Sequence, residues 1–357
     1  MKILFVGKRE PQQRDLLARP YGRFFHLPHL LAASGDEVGA LLVSQKRAPE
    51  QELEHGGVRW STLNPALGLA RLLGELDARA RTFRPDWIIG VSDAWYGWLA
   101  HRLARRTGAR LAVDAYDNYE AYMPWNAPLH SLWRRAIRAA DVVSAAGPQL
   151  ADLMQGSRKQ GQSPVAVVPM AADPIFFPRN RTESRKSLGL PMTAPLVGYM
   201  GSWAANRGTD VLIDAFQRVR ERRSDARLVL TGRPPENVTA VEGVHTLGYL
   251  DDARLPIALS ALDVACVITS PSAFGRYSYP AKLCEAMACG VPVLATGTEP
   301  VRWMLQGAQR FLAPPGDADA IAGGILANFS LGRVTYPALP SWSKSATCLR
   351  TALIAAS

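Results

Sequence analysis

The residues with the clearest chemical potential lie in PSAFGRYSYPAKLCEAMACGVPVLAT, residues 271–296. There an apolar strand leads through a loop with Gly275 and Arg276 into a helix that we expect to begin near Pro280, because proline is tolerated in a first helical turn. The free N–H groups of such a helix start, and the positive end of its dipole, favour a bound phosphate. Glu285 lies about one turn further on among apolar residues, where an acid needs a polar partner. The stretch therefore predicts an anion site with an acid beside it.

A second loop with phosphate-binding chemistry is GSWAANRGTDVLIDAF, residues 201–216, which follows a predicted strand. Gly201 and Gly208 allow close backbone approach, and Arg207 supplies a forked cation just before a helix. The alternative is a plain strand-to-helix turn with an arginine on the surface. Because the first motif follows another strand of the same half of the chain, we favour phosphate binding.

The elements that must position these loops alternate between strands and helices. In the first half we predict strands at 3–6, 38–43, 87–91, 111–115 and 142–146, and helices from about 22 and at 67–83, 95–106 and 129–139. The second half restarts with strands at 196–200, 227–231, near 244, 263–268 and 291–295, and with helices at 209–223, 253–261, 299–305 and 317–328. Short apolar strands separated by helices predict parallel sheets covered on both faces.

The two halves are separated by a polar stretch at 155–164, a short strand at 165–168 and a segment with five prolines at 169–195. This composition is typical of an interdomain linker. We therefore predict an α/β fold with two Rossmann-like, doubly wound domains, at 1–170 and 196–340, joined by a hinge at 171–195. Ligands of open α/β sheets bind at the carboxyl ends of the strands, so two such domains that face each other would enclose one cleft.

The overall composition excludes several classes of protein. With 357 residues, of which 48% are hydrophobic and 20% charged, the chain is long enough for two folded domains and is not expected to be disordered. The formal net charge of +10 is spread over both halves, so no basic arm stands out, and we predict no nucleic-acid partner. The charge suits phosphorylated ligands, an anionic membrane face or merely a basic soluble surface, and these alternatives stay open.

The sequence also bears on location. The four cysteines have no CxxC spacing, which argues against disulfides or a zinc framework and fits a reducing cytoplasm. The apolar run at 3–6 is too short for a signal peptide, and no stretch approaches the roughly 18 apolar residues of a membrane-spanning helix. We predict a cytoplasmic protein with, at most, peripheral contact at the inner face of the membrane. The segment LWRRAIR, residues 132–138, is one candidate for that contact, and a solvated helix face is the alternative.

Other chemistries find little support. Asp317 and Asp319 form an acid-x-acid pattern that some enzymes use for metals, but Asp317 follows PPG and opens an alanine-rich helix, which is typical of a helix cap. The histidines show no metal-ligand spacing, and Ser144 and Ser278 lack a nucleophile elbow. No glycine fingerprint follows the first strand, which argues against hydride transfer. We predict neither a metal nor a cofactor.

A family resemblance rests on an ordered series of motifs: YMGSWAANRGTDVLIDAF, RLVLTGRPP, VHTLGYLDDARLPIALSALDVACVI and the 271–296 stretch. The series resembles the nucleotide-binding half of the retaining glycosyltransferases of the GT-B fold, glycosyltransferase family 4 (glycosyl transferases group 1). VVPMAADPIFFP resembles that family's hinge. PSWSKSATCLRTALIAA, residues 340–356, resembles its last helix, which implies that residues from about 341 to 357 return to the first domain.

The resemblance implies roles for the residues that match its motifs. Glu285 would accept hydrogen bonds from the ribose hydroxyls of the donor, and the loop at 201–207 would hold its diphosphate. Residues 275–279 would approach the diphosphate and sugar, while Lys282 either joins them or faces solvent. The implied donor-binding residues are Gly22, Gly201, Ser202, Arg207, Arg233, Tyr249, Gly275, Arg276, Tyr277, Ser278, Tyr279, Lys282 and Glu285.

One position departs from the family pattern. Eight residues before Glu285 the family usually has a glutamate, which touches the transferred sugar in many members, and this sequence has Tyr277. A tyrosine hydroxyl donates or accepts a hydrogen bond but carries no negative charge at neutral pH. Some family members that share the spacing of Pro280, Lys282 and Glu285 also lack this first glutamate. We therefore interpret Tyr277 as a subgroup feature that bears on the choice of donor.

In the first domain the resemblance is weaker. Gly22 matches a glycine turn that leads a helix toward the donor phosphates and the acceptor. The stretch VDAYDNYEAYMPW, residues 113–125, is expected to expose acids such as Asp114 and Asp117 beside aromatic rings, a combination that holds sugars. Asp117 falls near a histidine that lies close to the reacting sugar in many relatives, and a capping acid is the alternative. The catalytic candidates are Asp117, Arg207 and Tyr277.

The resemblance implies a glycosyltransferase of the hexosyltransferase type. It would move a sugar from a UDP or GDP sugar to a hydroxyl of a carbohydrate, lipid-linked or small-molecule acceptor, with retention and without metal, in polysaccharide, glycolipid or other glycoconjugate synthesis. Two alternatives stay open: a catalytically weak nucleotide-sugar-binding or scaffold protein, which Tyr277 suggests, and a phosphate-dependent or epimerising relative on the same fold.

Overall fold

The structure is a computed structural model that describes residues 1–46, 48–201, 203, 208–337 and 339–357, without the side chain of Leu67. The chain forms two compact units, one of Met1–Met170 with Ser341–Ser357 and the other of Ala171–Pro340. Each unit contains one sheet whose described strands are parallel, apart from a single antiparallel edge strand in the first unit. The predicted fold class, α/β with two doubly wound units, is confirmed.

The first unit contains an eight-stranded sheet. Its strands are β1 (Lys2–Lys8), β2 (Glu37–Val43), β3 (Glu52–His55), β4 (Val58–Leu63), β5 (Trp87–Gly90), β6 (Arg110–Ala115), β7 (Val142–Ala145) and β8 (Ala166–Val167). Its helices are α1 (Arg23–Ala33), α2 (Leu69–Phe83), α3 (Ala94–Thr107), α4 (Ala127–Ala139), α5 (Pro148–Gln155) and, from the end of the chain, α13 (Trp342–Ala355). The strand order is β3-β4-β2-β1-β5-β6-β7-β8, so the order reverses beside β1.

The second unit contains a six-stranded sheet in the order β11-β10-β9-β12-β13-β14. Its strands are β9 (Leu196–Tyr199), β10 (Arg227–Leu230), β11 (Val244–Thr246), β12 (Val264–Val267), β13 (Val293–Thr296) and β14 (Leu312–Ala313). Its helices are α6 (Arg181–Ser187), α7 (Thr209–Arg222), α8 (Glu236–Thr239), α9 (Leu255–Ala261), α10 (Ala281–Ala288), α11 (Glu299–Met304) and α12 (Ala318–Asn328). Here β9 pairs with β10 on one side and β12 on the other, so the switch in strand order falls between β9 and β12.

Several elements of the structure, among them β3, β4, α5 and α6, lie where no regular structure was predicted from the sequence. The polar loop expected before α2 contains β3 and β4. In β4 the apolar Val58 and Trp60 alternate with the polar Arg59, a period-two pattern typical of a strand, and the structure buries both apolar residues. α5 lies in a stretch to which no element was assigned. The proline-rich segment expected as a hinge holds α6, which Asn180 caps by accepting a hydrogen bond from the Glu183 N–H at 3.1 Å.

The last helix, α13, packs within the first unit. The Trp342 ring stacks on His26 with 5.7 Å between ring centroids, and the Ser345 hydroxyl donates to the Pro169 carbonyl at 2.8 Å. Near the other end of α13, Arg350 donates to the buried Asp36 at 2.8 Å. Contacts along its whole length therefore attach α13 to the first unit.

A buried ion pair connects α1 to the middle of the first sheet. Arg23 donates to both carboxylate oxygens of Asp114, at 2.7 and 2.6 Å, and both side chains are 1% exposed. The Ser144 hydroxyl also donates to Asp114, and Arg23 donates to the Val168 carbonyl. The expectation that Asp114 is exposed for sugar binding was therefore wrong, because its carboxylate is used within the core to balance the Arg23 charge.

We expect Asp114→Asn to lower the free energy of unfolding of the first unit by about 3–5 kcal/mol, because it leaves the Arg23 charge buried without a counter-ion. The control is Asp117→Asn, since Asp117 accepts a hydrogen bond from the Tyr122 hydroxyl and its replacement is expected to cost about 1 kcal/mol. Urea unfolding followed by circular dichroism measures both. Equal losses for the two variants would contradict the structural role of Asp114.

Candidate functional site

The loops that follow four neighbouring strands of the second unit contain most of the predicted donor-binding residues of that unit, and Lys282 and Glu285 lie on α10. Gly201 follows β9, Arg233 follows β10, Tyr249 follows β11, and residues 275–279 follow β12. Because all four strands are parallel neighbours, their carboxyl ends lie at one edge of the sheet. Of the other predicted residues, Ser202 and Arg207 lie outside the described residues.

The loops after β9, β10 and β11 approach one another closely. The Gly232 N–H donates to the Gly248 carbonyl at 2.7 Å, and a Cβ added to Gly232 would lie 3.4 Å from the Gly201 carbonyl oxygen. Gly232 has a φ of +83°, a conformation that favours glycine. The sequence analysis missed Gly232, although its position in the TGRPP turn directly before Arg233 is visible in the sequence.

Lys282 brings the first turn of α10 against the β9 loop. A Cβ added to Gly201 would lie 1.8 Å from the Lys282 Nζ, so the ammonium occupies the space that a larger residue would fill. The same Nζ lies 4.9 Å from the centroid of the Tyr199 ring, a cation–π contact with a residue that we did not predict. Lys282 is half-buried, and its ammonium lies beside the predicted diphosphate loop.

The loop between β12 and α10 is tightly folded around a glycine. A Cβ on Gly275 would lie 1.9 Å from the Ser270 carbonyl oxygen, and the Gly275 N–H donates to the Ser272 hydroxyl at 3.1 Å. Arg276 in this loop is exposed and Tyr277 is half-buried. Pro280 is the N-cap of α10 with an extended backbone, so the expectation of a proline inside the first helical turn was off by one residue.

The side chains that follow in this segment are mostly buried. Ser278 is buried, and the Tyr279 ring is buried with its edge to Trp303 at 5.7 Å. Glu285 is 8% exposed on α10 beside Cys284. Burial raises the pKa of the Cys284 thiol to about 12, and the charge of Glu285 adds to the increase. Arg233 and Tyr249, by contrast, are exposed, and the Tyr249 side chain is 68% accessible.

In the first unit, Gly22 caps α1 with a φ of +65°. A Cβ there would meet no atom within 4 Å, so the backbone conformation, and not a lack of space, requires glycine. Asp117 follows β6, is 7% exposed, and accepts a hydrogen bond from the Tyr122 hydroxyl at 2.6 Å. It is therefore less exposed than expected, and the Tyr122 hydroxyl occupies one of its carboxylate oxygens.

The switch point of the first sheet holds residues that the sequence analysis did not single out as site candidates. The Lys8 N–H at the end of β1 donates to the Ser92 hydroxyl at 2.8 Å, and Ser92 has a strained φ of +79°. The next residue, Asp93, caps α3 by accepting from the Trp95 N–H at 2.9 Å. Burial raises the pKa of Asp93, so its carboxyl protonates more easily than an exposed one.

Asp317 is the N-cap of α12 and accepts from the Ala320 N–H at 2.9 Å, which confirms the cap that we predicted. Among the described residues no three His, Cys, Asp or Glu side chains are grouped so that they could hold a metal ion. In the same part of the chain no helix is both long enough and apolar enough to cross a membrane.

Two family models match the chain. The model described as glycosyl transferases group 1 matches residues 194–329, and the one described as glycosyl transferase 4-like domain matches residues 23–171. Phosphatidyl-myo-inositol mannosyltransferase of Mycobacterium leprae is 34% identical over 147 residues, which are 39% of this chain and 38% of the relative. N-acetyl-alpha-D-glucosaminyl L-malate synthase of Bacillus anthracis is 25% identical over 204 residues, 54% and 51% of the two chains. The chain thus spans about half or less of the length of these relatives.

Solved structures with the same fold cover nearly the whole chain. Sucrose-phosphate synthase from Thermosynechococcus elongatus has a TM-score of 0.77 at 21% identity and covers 100% of both chains. Anabaena HepE in complex with UDP has a TM-score of 0.72 at 15% identity, over 99% of this chain and 100% of the other. These two likenesses concern the fold. They show that the fold is GT-B, and the two family models, which together match most of the chain, show that it belongs to the group 1 glycosyl transferases, glycosyltransferase family 4.

Proposed function

We propose that this protein transfers a glycosyl group from a nucleotide diphosphate sugar to an acceptor hydroxyl, in polysaccharide, glycolipid or other glycoconjugate synthesis. The observation that carries the proposal is the meeting of glycine loops at the carboxyl edge of the second sheet, with Lys282 against Gly201 at the switch point. Ligands of doubly wound sheets bind at such a point. The UDP bound by HepE supports a uridine donor, with a guanosine donor as the alternative.

The diphosphate of the donor would lie over the β9 loop and the start of α10. Its negative charge would be stabilised by the Lys282 ammonium, by Arg207 and by the positive end of the α10 dipole. Gly201 would let the Lys282 ammonium lie against the β9 loop near the phosphate oxygens, and Gly275 would let the loop before α10 fold tightly beside them. Cations and the α10 dipole would thus take the charge-stabilising role, which is why we propose a metal-independent reaction.

The nucleoside and the sugar would occupy the two ends of this site. Glu285 would accept hydrogen bonds from the ribose hydroxyls, and the loop with Tyr249 would pass the base. Tyr277, which is half-buried in the loop before α10, would offer its hydroxyl to the transferred sugar where other members offer a carboxylate. A neutral group at that position would change which sugar hydroxyls are recognised, so Tyr277 is our candidate for the choice of donor.

The reaction would break the bond between the anomeric carbon and the diphosphate oxygen and form a bond from that carbon to the acceptor oxygen. The proton of the acceptor hydroxyl would pass to the departing phosphate oxygen, so no separate base is required. We propose that the configuration at the anomeric carbon is retained. The first unit would bind the acceptor, with Gly22 at the turn into α1 and Asp117 close to the reacting sugar.

The acceptor would be a carbohydrate, a lipid-linked molecule or a small molecule. Lipid-linked acceptors would place the protein in the cytoplasm with peripheral contact at the inner face of the membrane.

The test of the function is incubation with a panel of nucleotide sugars, with thermal shift and slow donor hydrolysis both measured. Stabilisation together with hydrolysis supports the transferase, whereas stabilisation without turnover under any acceptor favours a binding module.

We expect Glu285→Ala to raise the KM for the donor by roughly ten- to hundredfold and to reduce turnover, because a hydrogen bond to a charged group contributes about 1.5–3 kcal/mol. Glu221→Ala, an exposed position on α7, is the matched control and should keep the wild-type KM. Steady-state kinetics with the donor found in the panel measures both. A folded Glu285→Ala protein with a normal donor KM would remove Glu285 from the site.

We expect Gly201→Ala to lower kcat/KM for the donor by roughly tenfold, the effect of losing about 1.4 kcal/mol of charge stabilisation, because the new methyl group displaces the Lys282 ammonium. The melting temperature should hardly change, since the displaced atom ends a flexible side chain. Gly74→Ala on α2, where a Cβ meets nothing within 4 Å, is the control. If both variants retain full activity, the contact between Gly201 and Lys282 has no part in donor binding.

A further inference from the structure

A basic groove lies between α3 and α4 of the first unit, apart from every residue predicted for catalysis or donor binding. It has a volume of about 340 Å³. Gly97 on α3 lets the Trp133 ring pack directly against the helix backbone, since a Cβ there would lie 2.5 Å from the ring, and this seats α4 beside α3. Trp98 and Leu132 form the apolar part of the lining.

His101 is the buried polar side chain in the lining of the groove. It lines the groove, is 9% exposed, and makes no hydrogen bond to any residue in the described part of the chain. Its ring nitrogens are not among the fully enclosed polar atoms of the described residues, so they are open to the groove and can hydrogen-bond a molecule that lies there. Burial lowers the pKa of His101, and the charges of Arg135 and Arg105 lower it further. The neighbouring charges thus oppose protonation unless an anion is present.

The other charged groups of the groove divide into a paired and an unpaired set. Asp77 on α2 accepts from Arg102 at 2.5 and 2.8 Å and from Arg106 at 3.1 Å, so its charge is already shared by two arginines. Arg105 on α3 and Arg135 on α4 are exposed, and within the described ranges neither pairs with an acid. The groove therefore carries a surplus of positive charge directly beside His101.

We propose that this groove binds a phosphate-type dianion, with Arg105 and Arg135 donating from the two helices and the His101 ring donating from between them. Arginine forks match phosphate oxygens well, and an anion would convert His101 from a disfavoured cation into a favoured one. The phosphate belongs either to a soluble molecule or to a phospholipid head group. Trp95, whose ring is 45% exposed and lies edge-on to Trp98 at 5.9 Å, provides an apolar contact for a lipid surface next to the charges.

The test for binding is a titration of the full-length protein with inorganic phosphate, followed by NMR of labelled histidines. His101→Asn assigns the signal. We expect a saturable shift of the His101 resonances and a higher His101 pKa in the bound state. No shift of His101 at tens of millimolar phosphate would overturn the proposal.

Two double variants test whether phosphate binding depends on the arginines of the groove. Arg105→Gln with Arg135→Gln should weaken phosphate binding at least tenfold, whereas Arg71→Gln with Arg81→Gln, which removes the same charge from exposed positions on α2, should leave it within twofold. If both double variants lost phosphate affinity equally, the binding would depend only on the net charge of the protein, and the proposed site would be wrong.

A second measurement distinguishes the two sources of phosphate. It compares sedimentation with vesicles of phosphatidylglycerol and phosphatidylcholine against vesicles of phosphatidylcholine alone. Binding to the anionic vesicles that is lost in the Arg105 and Arg135 double variant, and kept in the control, supports a phospholipid head group. Phosphate binding at His101 without vesicle binding supports a soluble phosphate. Vesicle binding that survives loss of both groove arginines would contradict the lipid source.

Discussion

The pairing of β9 with a parallel strand on each side is the constraint on which the candidate donor site depends. Val197 and Gly198 pair with β10 and also with β12, so the loops that leave these strands emerge side by side at one edge. Close packing makes this arrangement possible, since a Cβ on Gly198 would lie 2.2 Å from the Leu262 side chain. Because the three strands are in register, the β9 loop and the start of α10 lie next to each other.

Buried strands and helix ends could be predicted from the sequence, because local residue patterns determine them. Apolar runs such as Ile3–Val6 are buried on both sides of the first sheet, and such runs are recognised without a structure. Helix ends were predictable where a cap has local chemistry, as at Asp317. β3 was not predicted because its residues are mostly exposed and give no apolar pattern. α6 was not predicted because the prolines around it are typical of a linker.

Long-range contacts were beyond reach because no local pattern encodes them. Asp114 looked like a sugar-binding acid, yet its partner Arg23 lies 91 residues away in the sequence. The approach of Lys282 to Gly201 and the isolation of His101 between two arginines likewise depend on how distant helices pack. The sequence therefore predicted loops that do follow the strands of the second sheet, but it could not say which side chains within them are used for folding.

The central claim is that a nucleotide diphosphate binds at the carboxyl edge of the second sheet. Hydrogen–deuterium exchange with and without saturating UDP or GDP tests it most directly, because it locates a ligand along the whole chain. The account predicts slower exchange in the loops around Gly201, Gly232 and Gly248 and in residues 275–285. Protection confined to other segments, or no protection with either nucleotide, would contradict it.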